Sequence, residues 1–215
     1  MMNWKYKNNM DEDVVTNTYQ PIMITTQGNE MIMPTSGSIR VVENKVYFYG
    51  DVDEDSMLEL NKTLEEVDLK LQNTQNILGE DSFTPIIHLH VNTYGGSIFA
   101  AFSTVDTIMN LKSKVYTYVD GCVASAGTLI IAVGEKRFIG KHAHLLIHQL
   151  SSGMYGKFSE FEDEMYNLTN LMKLLKRFYK ENTKIPMKKL DELLKRDLWM
   201  EAEECVQLGV VDVIK

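Results

Sequence analysis

Val119-Asp-Gly-Cys-Val-Ala-Ser-Ala-Gly-Thr128 is the stretch on which the rest of the chain turns. Upstream, Val115-Tyr-Thr-Tyr-Val119 is β-branched and aromatic and reads as a buried strand. Downstream, Thr128-Leu-Ile-Ile-Ala-Val133 is too apolar for a surface loop. Between them Gly121, Ala124, Ser125, Ala126 and Gly127 let a strand turn tightly into a helix with close backbone packing. A serine at such a turn offers its hydroxyl beside the free N–H groups of a helix start, where negative charge is stabilised. The same pattern also serves plain packing, a small residue chosen only to let helix and strand approach. Both readings stand at this point.

Working outward, Pro85-Ile-Ile-His-Leu-His-Val91 is a second strand, and Thr93-Tyr-Gly-Gly-Ser97 turns out of it. Ile98, Ala101, Val105, Ile108 and Met109 then space a helix. Two βα units in succession predict a largely parallel sheet covered by helices. Before them, Ile39 to Tyr49 holds two short β runs around an Asn-containing turn, closed by Gly50. Met57, Leu60, Leu64, Val67 and Leu71 predict an amphipathic helix over about residues 54–73, followed by a polar loop over 73–81. Arg137–Ile139 and Leu145–Gln149 read as short strands, and 151–156 as a glycine-bearing connection.

Phe158, Phe161, Met165, Leu168, Met172, Leu175 and Tyr179 recur at alternating spacings of three and four, which predicts one long helix over about 157–182. At ~1.5 Å per residue such a helix outruns one small α/β core. Its apolar stripe packs on another subunit or lies across its own sheet. A short helix after Pro186, a helix over 201–208 stopped by Gly209, and a strand over 210–214 complete the chain. Residues 1–38 read as an amino-terminal arm, flexible or axial, with a short strand at Ile22–Thr25, and 39–215 as a single domain.

Acyl transfer needs a hydroxyl, a base, an orienting acid and N–H donors for the oxyanion. Ser125 is the candidate hydroxyl. His148, at the end of an apolar run, is the candidate base, and Asp197, after a helix and before Leu-Trp-Met, is a partly buried acid for the imidazole. The N–H groups of Gly96 and Ala126 would make a two-donor oxyanion hole. Each piece alone has a bland alternative: an edge histidine, a helix-terminal carboxylate, a tight turn.

In combination, Gly95-Gly96, Ala124-Ser-Ala-Gly127, Ile147-His-Gln149, Arg196-Asp197, Ala202 and Leu208-Gly-Val-Val-Asp212 are more specific. From about residue 39 onward the chain resembles the ClpP family, the proteolytic subunits of the ATP-dependent Clp protease, in both order and spacing. Gly96 and Ser125 are 29 residues apart, and His148 and Asp197 are 49 apart. The resemblance implies a crotonase-like α/β fold of repeated β-β-α units with a protruding handle helix. It implies a serine endopeptidase with Ser125 as nucleophile, His148 as base and then acid, Asp197 as its orienter, and Gly96 and Ala126 holding the oxyanion. Strands through Gly95, Gly96, Ser97 and Ile98 and through Leu150, Ser151 and Gly153 would clasp an extended substrate.

The resemblance further implies two stacked heptameric rings, a tetradecameric chamber for unfolded polypeptides, fed by a Clp-type hexameric ATPase, with no cofactor in the peptidase. Thr93-Tyr94 and Leu150 depart from the family's usual Ser-Pro before the glycines and proline after His-Gln. A divergent or phage-type member fits those departures.

Composition bounds the alternatives. The net charge of −8 argues against a nucleic-acid binder. No apolar run approaches the ~18 residues of a membrane span, the amino end has no signal-peptide pattern, and two cysteines build no disulfide framework. A cytoplasmic protein is expected. His142, His144 and His148 share parity, so a straight strand carrying all three would offer a zinc site and a metal-dependent hydrolase. His88 and His90 form another such pair. The non-enzymatic alternative is an idle ring or scaffold subunit of the same fold.

Overall fold

The computed structural model describes residues 38–79 and 81–215. Period-two alternation sorts its strands into two faces. β2 (Lys45–Tyr49), β3 (Ile86–Thr93) and β4 (Lys114–Ala124) turn Val46, Phe48, Ile87, Leu89, Val91, Val115 and Val119 to one side, all buried. β1 (Ser38–Val42) pairs antiparallel with β2 through a turn in which Glu43 has φ 57°. β5 (Lys136–Ile139), β6 (His144–Leu146) and β7 (Val213–Ile214) complete a sheet of order β1-β2-β3-β4-β5-β7, with β6 beside the end of β4. Every strand pairing but β1–β2 is parallel, as two successive βα units require.

The buried strand face is covered by α1 (Glu54–Leu78) and α2 (Ile98–Asn110), with α3 (Gly127–Ala132) beside α2. The apolar period of α1 is as expected, with Met57, Leu60, Leu64 and Val67 buried. Its length is not. The helix continues past Leu71 to Gly79, where φ 102° ends it. The last turns carry no core residue, and Ile77 and Leu78 are exposed, so the apolar stripe marks where packing stops and not where the helix does. In α2, Met109 is likewise exposed, one position off the buried Ala101-Val105-Ile108 stripe.

α4 (Phe158–Asn182) matches the long helix expected, and it has two unlike halves. Leu175, Phe178 and Tyr179 are buried against the domain, while Phe158, Phe161, Met165 and Tyr166 are exposed. α5 (Met187–Leu193) begins after Pro186, and α6 (Ala202–Gln207) ends ahead of Gly209, whose φ is 60°. The final strand is shorter than expected because Val210 and Val211 turn into the core first. The amino-terminal arm and its strand at Ile22–Thr25 lie outside the described residues.

Candidate active site

Backbone pairing brings distant residues to one end of the sheet. β4 runs unbroken to Ala124, and its last three residues pair in parallel with His144–Leu146 of β6. The Ser125 N–H then donates to the Leu146 carbonyl at 2.9 Å, so the chain beyond Leu146 passes the turn that holds Ser125. Leu145 in turn exchanges backbone hydrogen bonds with Met200, at 3.1 and 2.8 Å. In that antiparallel register, three residues forward from Leu145 is His148 and three back from Met200 is Asp197. Opposing positions in such a ladder sit within side-chain reach.

The side chains meet accordingly. His148 Nε2 lies 2.8 Å from Ser125 Oγ, and His148 Nδ1 lies 2.7 Å from Asp197 Oδ1. The carboxylate accepts the Nδ1 proton, which leaves Nε2 as acceptor for the serine O–H. Ser125 itself has φ 53°, a left-handed backbone that a non-glycine residue adopts at a cost of roughly 1–3 kcal/mol. A sharp strand-to-helix turn of this kind stands the hydroxyl clear of the sheet. Gly95 lies directly behind it, since a Cβ there would fall 2.6 Å from Ser125 Cβ. One expectation needs correcting: the Asp197 side chain is 78% exposed, because it sits on the extended loop after α5 and not under it.

The two residues expected to donate N–H groups to an oxyanion, Gly96 and Ala126, line one cleft with Ser125 and His148. Val52 donates its N–H to Gly95 O and accepts the N–H of Ser97, so the intervening N–H of Gly96 points the opposite way. That way is a cleft of about 250 Å³, which Gly96, Ser125, Ala126 and His148 all line. Ala126 caps the start of α3, where N–H groups have no partner within the helix. The floor is apolar, from Ile98, Leu129 and Leu175.

Ser97, Ile98, Leu150 and Ser151 line the same cleft, whereas Gly95 and Gly153 do not. The expected substrate strands are absent among the described residues. Ser97 caps α2 by accepting the Ala100 N–H at 3.3 Å, which draws Ile98 into the helix. Among the described residues no strand pairs with 150–153, and the Leu150 N–H points at Met172 Sδ, 3.5 Å away.

The metal alternative does not assemble. β6 ends at Leu146, so His142, His144 and His148 never share one straight strand. Among the described residues no group of three His, Cys, Asp or Glu side chains is placed to hold a metal ion. His88 and His90 are occupied across the sheet, His88 Nδ1 with Tyr118 Oη at 2.7 Å and His90 Nδ1 with Asp120 at 2.8 Å. Cys205 is buried, which pushes its thiol up to about 12 and leaves it inert.

A family model described as Clp protease matches residues 46–215, the whole span from β2 to the carboxyl end. The chain belongs to the Clp protease family. It is 32% identical over 130 residues to the ATP-dependent Clp protease proteolytic subunit 2 of Bacillus licheniformis, covering 60% of this chain and 68% of that protein. In all, 674 curated proteins match the chain, so the family rests on more than one relative. The mixed α/β fold is of the ClpP type, and the family supports a Clp-type serine protease, a hydrolase.

Two contacts at this site had no clear signature in the sequence. Tyr94, one of the two departures before the glycines, packs edge-on against Trp199 with ring centres 6.2 Å apart, tying the glycine loop to the Asp197 loop. Tyr179, spaced like one more apolar residue of α4, carries a buried hydroxyl 2.6 Å from Thr128 Oγ1. Periodicity finds the ring in each case and says nothing of its partner.

Proposed function

We propose that this chain is a serine endopeptidase that cuts peptide bonds with Ser125, His148 and Asp197 as its triad. The observation that carries the reading is the continuous hydrogen-bonded chain from Asp197 through His148 to Ser125, beside a cleft that Gly96 and Ala126 also line. His148 Nε2 takes the Ser125 proton as Oγ attacks the scissile carbonyl. Asp197 holds the imidazole in that tautomer and stabilises the imidazolium. The carbonyl oxygen, now negative, moves between the N–H groups of Gly96 and Ala126, each donor worth roughly 3–4 kcal/mol in the transition state. His148 returns the proton to the leaving amine. Water repeats the sequence on the acyl-enzyme and releases the new carboxyl end.

We assign residues 39–215 to one peptidase domain and α4 to a handle. The exposed Phe158, Phe161, Met165 and Tyr166 on its outer half support burial against a second copy, as in stacked heptameric rings enclosing a chamber. A Clp-type hexameric ATPase would then deliver unfolded polypeptide, in keeping with the ATP-dependent activity in the relative's name. No helix among the described residues is long and apolar enough to cross a membrane, and the cytoplasm is the compartment we propose.

The test is hydrolysis of a short fluorogenic peptide by the purified protein beside a Ser125→Ala variant of matched fold and assembly. Activity that disappears in the variant is the expected result. Activity that survives removes Ser125 as nucleophile, and a parent inactive with and without its ATPase supports an idle ring subunit instead.

A further inference from the structure

Beside the turn at Ser125 lies a short relay of hydroxyls through Thr128 to Tyr179, a residue that also lines the cleft. Thr128 Oγ1 donates to the Ser125 carbonyl at 2.6 Å, and the Thr128 N–H reaches the same oxygen at 3.0 Å. Thr128 Oγ1 also lies 2.6 Å from Tyr179 Oη. A threonine hydroxyl has one proton, and the carbonyl can only accept, so that proton goes to Ser125. Tyr179 is therefore the donor to Thr128. The direction of the relay is fixed: Tyr179 to Thr128 to the Ser125 carbonyl. Thr128 and Tyr179 are both buried, and burial pushes the tyrosine hydroxyl well above its ordinary range, so it holds its proton throughout the working pH range.

We propose that Thr128 and Tyr179 are positioning residues that aim the Ala126 N–H into the oxyanion hole; this inference rests on the peptidase reading above. The Ser125 C=O and the Ala126 N–H are two ends of a single planar, trans peptide group and point in opposite directions. Pinning the carbonyl with two donors on the α3 side thus turns the N–H toward the cleft that Ala126 lines. The left-handed φ of Ser125 makes the pin necessary. Strained backbone persists only where its surroundings over-determine it, and two hydrogen bonds to one carbonyl do so here. Tyr179 reaches the relay from the buried half of α4, so the handle helix and the oxyanion donor are mechanically joined. Two fully buried hydroxyls cost desolvation that an apolar pair would avoid, and the chain of donors offsets that cost only while it ends on the carbonyl.

A donor to the oxyanion acts in the transition state alone, so the relay is read in kcat and not in KM. The experiment compares the parent, Thr128→Val, Thr128→Ser and Tyr179→Phe in the full chain, each with a melting curve, a kcat/KM split on one fluorogenic peptide and a pH profile. Thr128→Val is expected to lower kcat by roughly ten- to a hundredfold with KM unchanged, and Thr128→Ser to restore it within about twofold. Tyr179→Phe is expected to lose several-fold in kcat. The acid limb of the pH profile is expected to stay in place in all three, because His148 and Asp197 are untouched. Parent-like kcat in Thr128→Val, a loss that serine fails to rescue, or a change in KM instead of kcat overturns the assignment. If Thr128→Val does not fold, unchanged kcat in Tyr179→Phe overturns it. A parent without Ser125-dependent hydrolysis is a different result: it overturns the peptidase reading, and this inference with it.

Discussion

The molecule contains two histidine–aspartate pairs of nearly the same length and entirely different surroundings. His148 Nδ1 meets Asp197 at 2.7 Å, and His90 Nδ1 meets Asp120 at 2.8 Å. His90 is clamped between the rings of Tyr47 and Tyr118, with centroids 4.6 and 4.4 Å away and planes nearly parallel. Its aspartate is shared with the Tyr49 hydroxyl at 2.8 Å. Among the described residues His148 has no stacking partner of this kind, and its second nitrogen faces a hydroxyl on a strained turn. A short His–Asp contact is thus no mark of chemistry by itself. What separates a base from a strut is what the other ring nitrogen faces and whether the ring is free of its neighbours.

The largest expected effect follows from exchanging insults between the two pairs. His148→Ala should lower kcat/KM by about 10⁴ or more, and Asp197→Asn by about 10³–10⁴, with little change in urea midpoint. His90→Ala should do the reverse. It empties a slot between two aromatic rings and strands a half-buried Asp120, at a cost of about 2–4 kcal/mol, while kcat of the folded fraction is retained. Peptide hydrolysis and urea denaturation on the same samples decide it. Loss of stability in His148→Ala equal to that in His90→Ala would show that both pairs are struts.

Acid should find the structural pair through the group beside it. Burial lowers the His88 pKa below its ordinary 6.5, helped by His90, Lys45 and Lys215. A neutral form favoured by folding contributes stability that is whole above the unfolded value and is lost as pH falls through the folded one. Asp120 acts in the same direction lower down. Burial pushes its carboxyl up, but hydrogen bonds from His90 and Tyr49 outweigh that and hold it below its usual value. Unfolding free energy measured between pH 7.5 and 5, about one unit or more either side of the ordinary histidine value, should therefore decline with acid, and His88→Gln should flatten the decline. An unchanged slope in His88→Gln would remove it as the source.

Much of this was readable in the sequence because burial writes a period into it. The alternation through Ile86–Val91 and Val115–Val119 and the α1 stripe from Met57 to Val67 each report a core contact at a fixed spacing, and each element formed around those contacts, with α1 and β4 running on beyond them. The order of Gly96, Ser125, His148 and Asp197 was readable too; the Leu145–Met200 register brings Asp197 to His148, the β4–β6 pairing brings His148 to Ser125, and the Val52–Gly96 bridge sets the glycine loop. Hydrogen bonds between distant elements write no period. Nothing local to Thr128 points to a tyrosine 51 residues away. The end of α1 was invisible for the opposite reason, since its last turns touch no core. The substrate strands at 96–98 and 150–153 were expected from an extended bound peptide; instead Gly96 bridges to Val52, Ile98 begins α2, and 150–153 form no strand.

The smallest effect concerns a contact found beside one pair only. Tyr94 is mostly exposed and Trp199 partly so, yet they flank the His148–Asp197 pair, one next to Gly95 and the other two residues past Asp197. An edge-to-face pair is worth about 0.5–1.5 kcal/mol at best, and exposure puts this one near the lower end. Trp199→Ala should thus barely move the urea midpoint, but the Asp197 side chain stands largely in solvent and leans on few other neighbours, so loosening its loop should cost about two- to fivefold in kcat. A double-mutant cycle with Tyr94→Ala separates the causes. If the rings act on each other, the double variant loses no more than either single one. Fully additive losses would mean that Tyr94 and Trp199 serve substrate independently, and that the Asp197 loop is held by backbone pairing at Met200 alone.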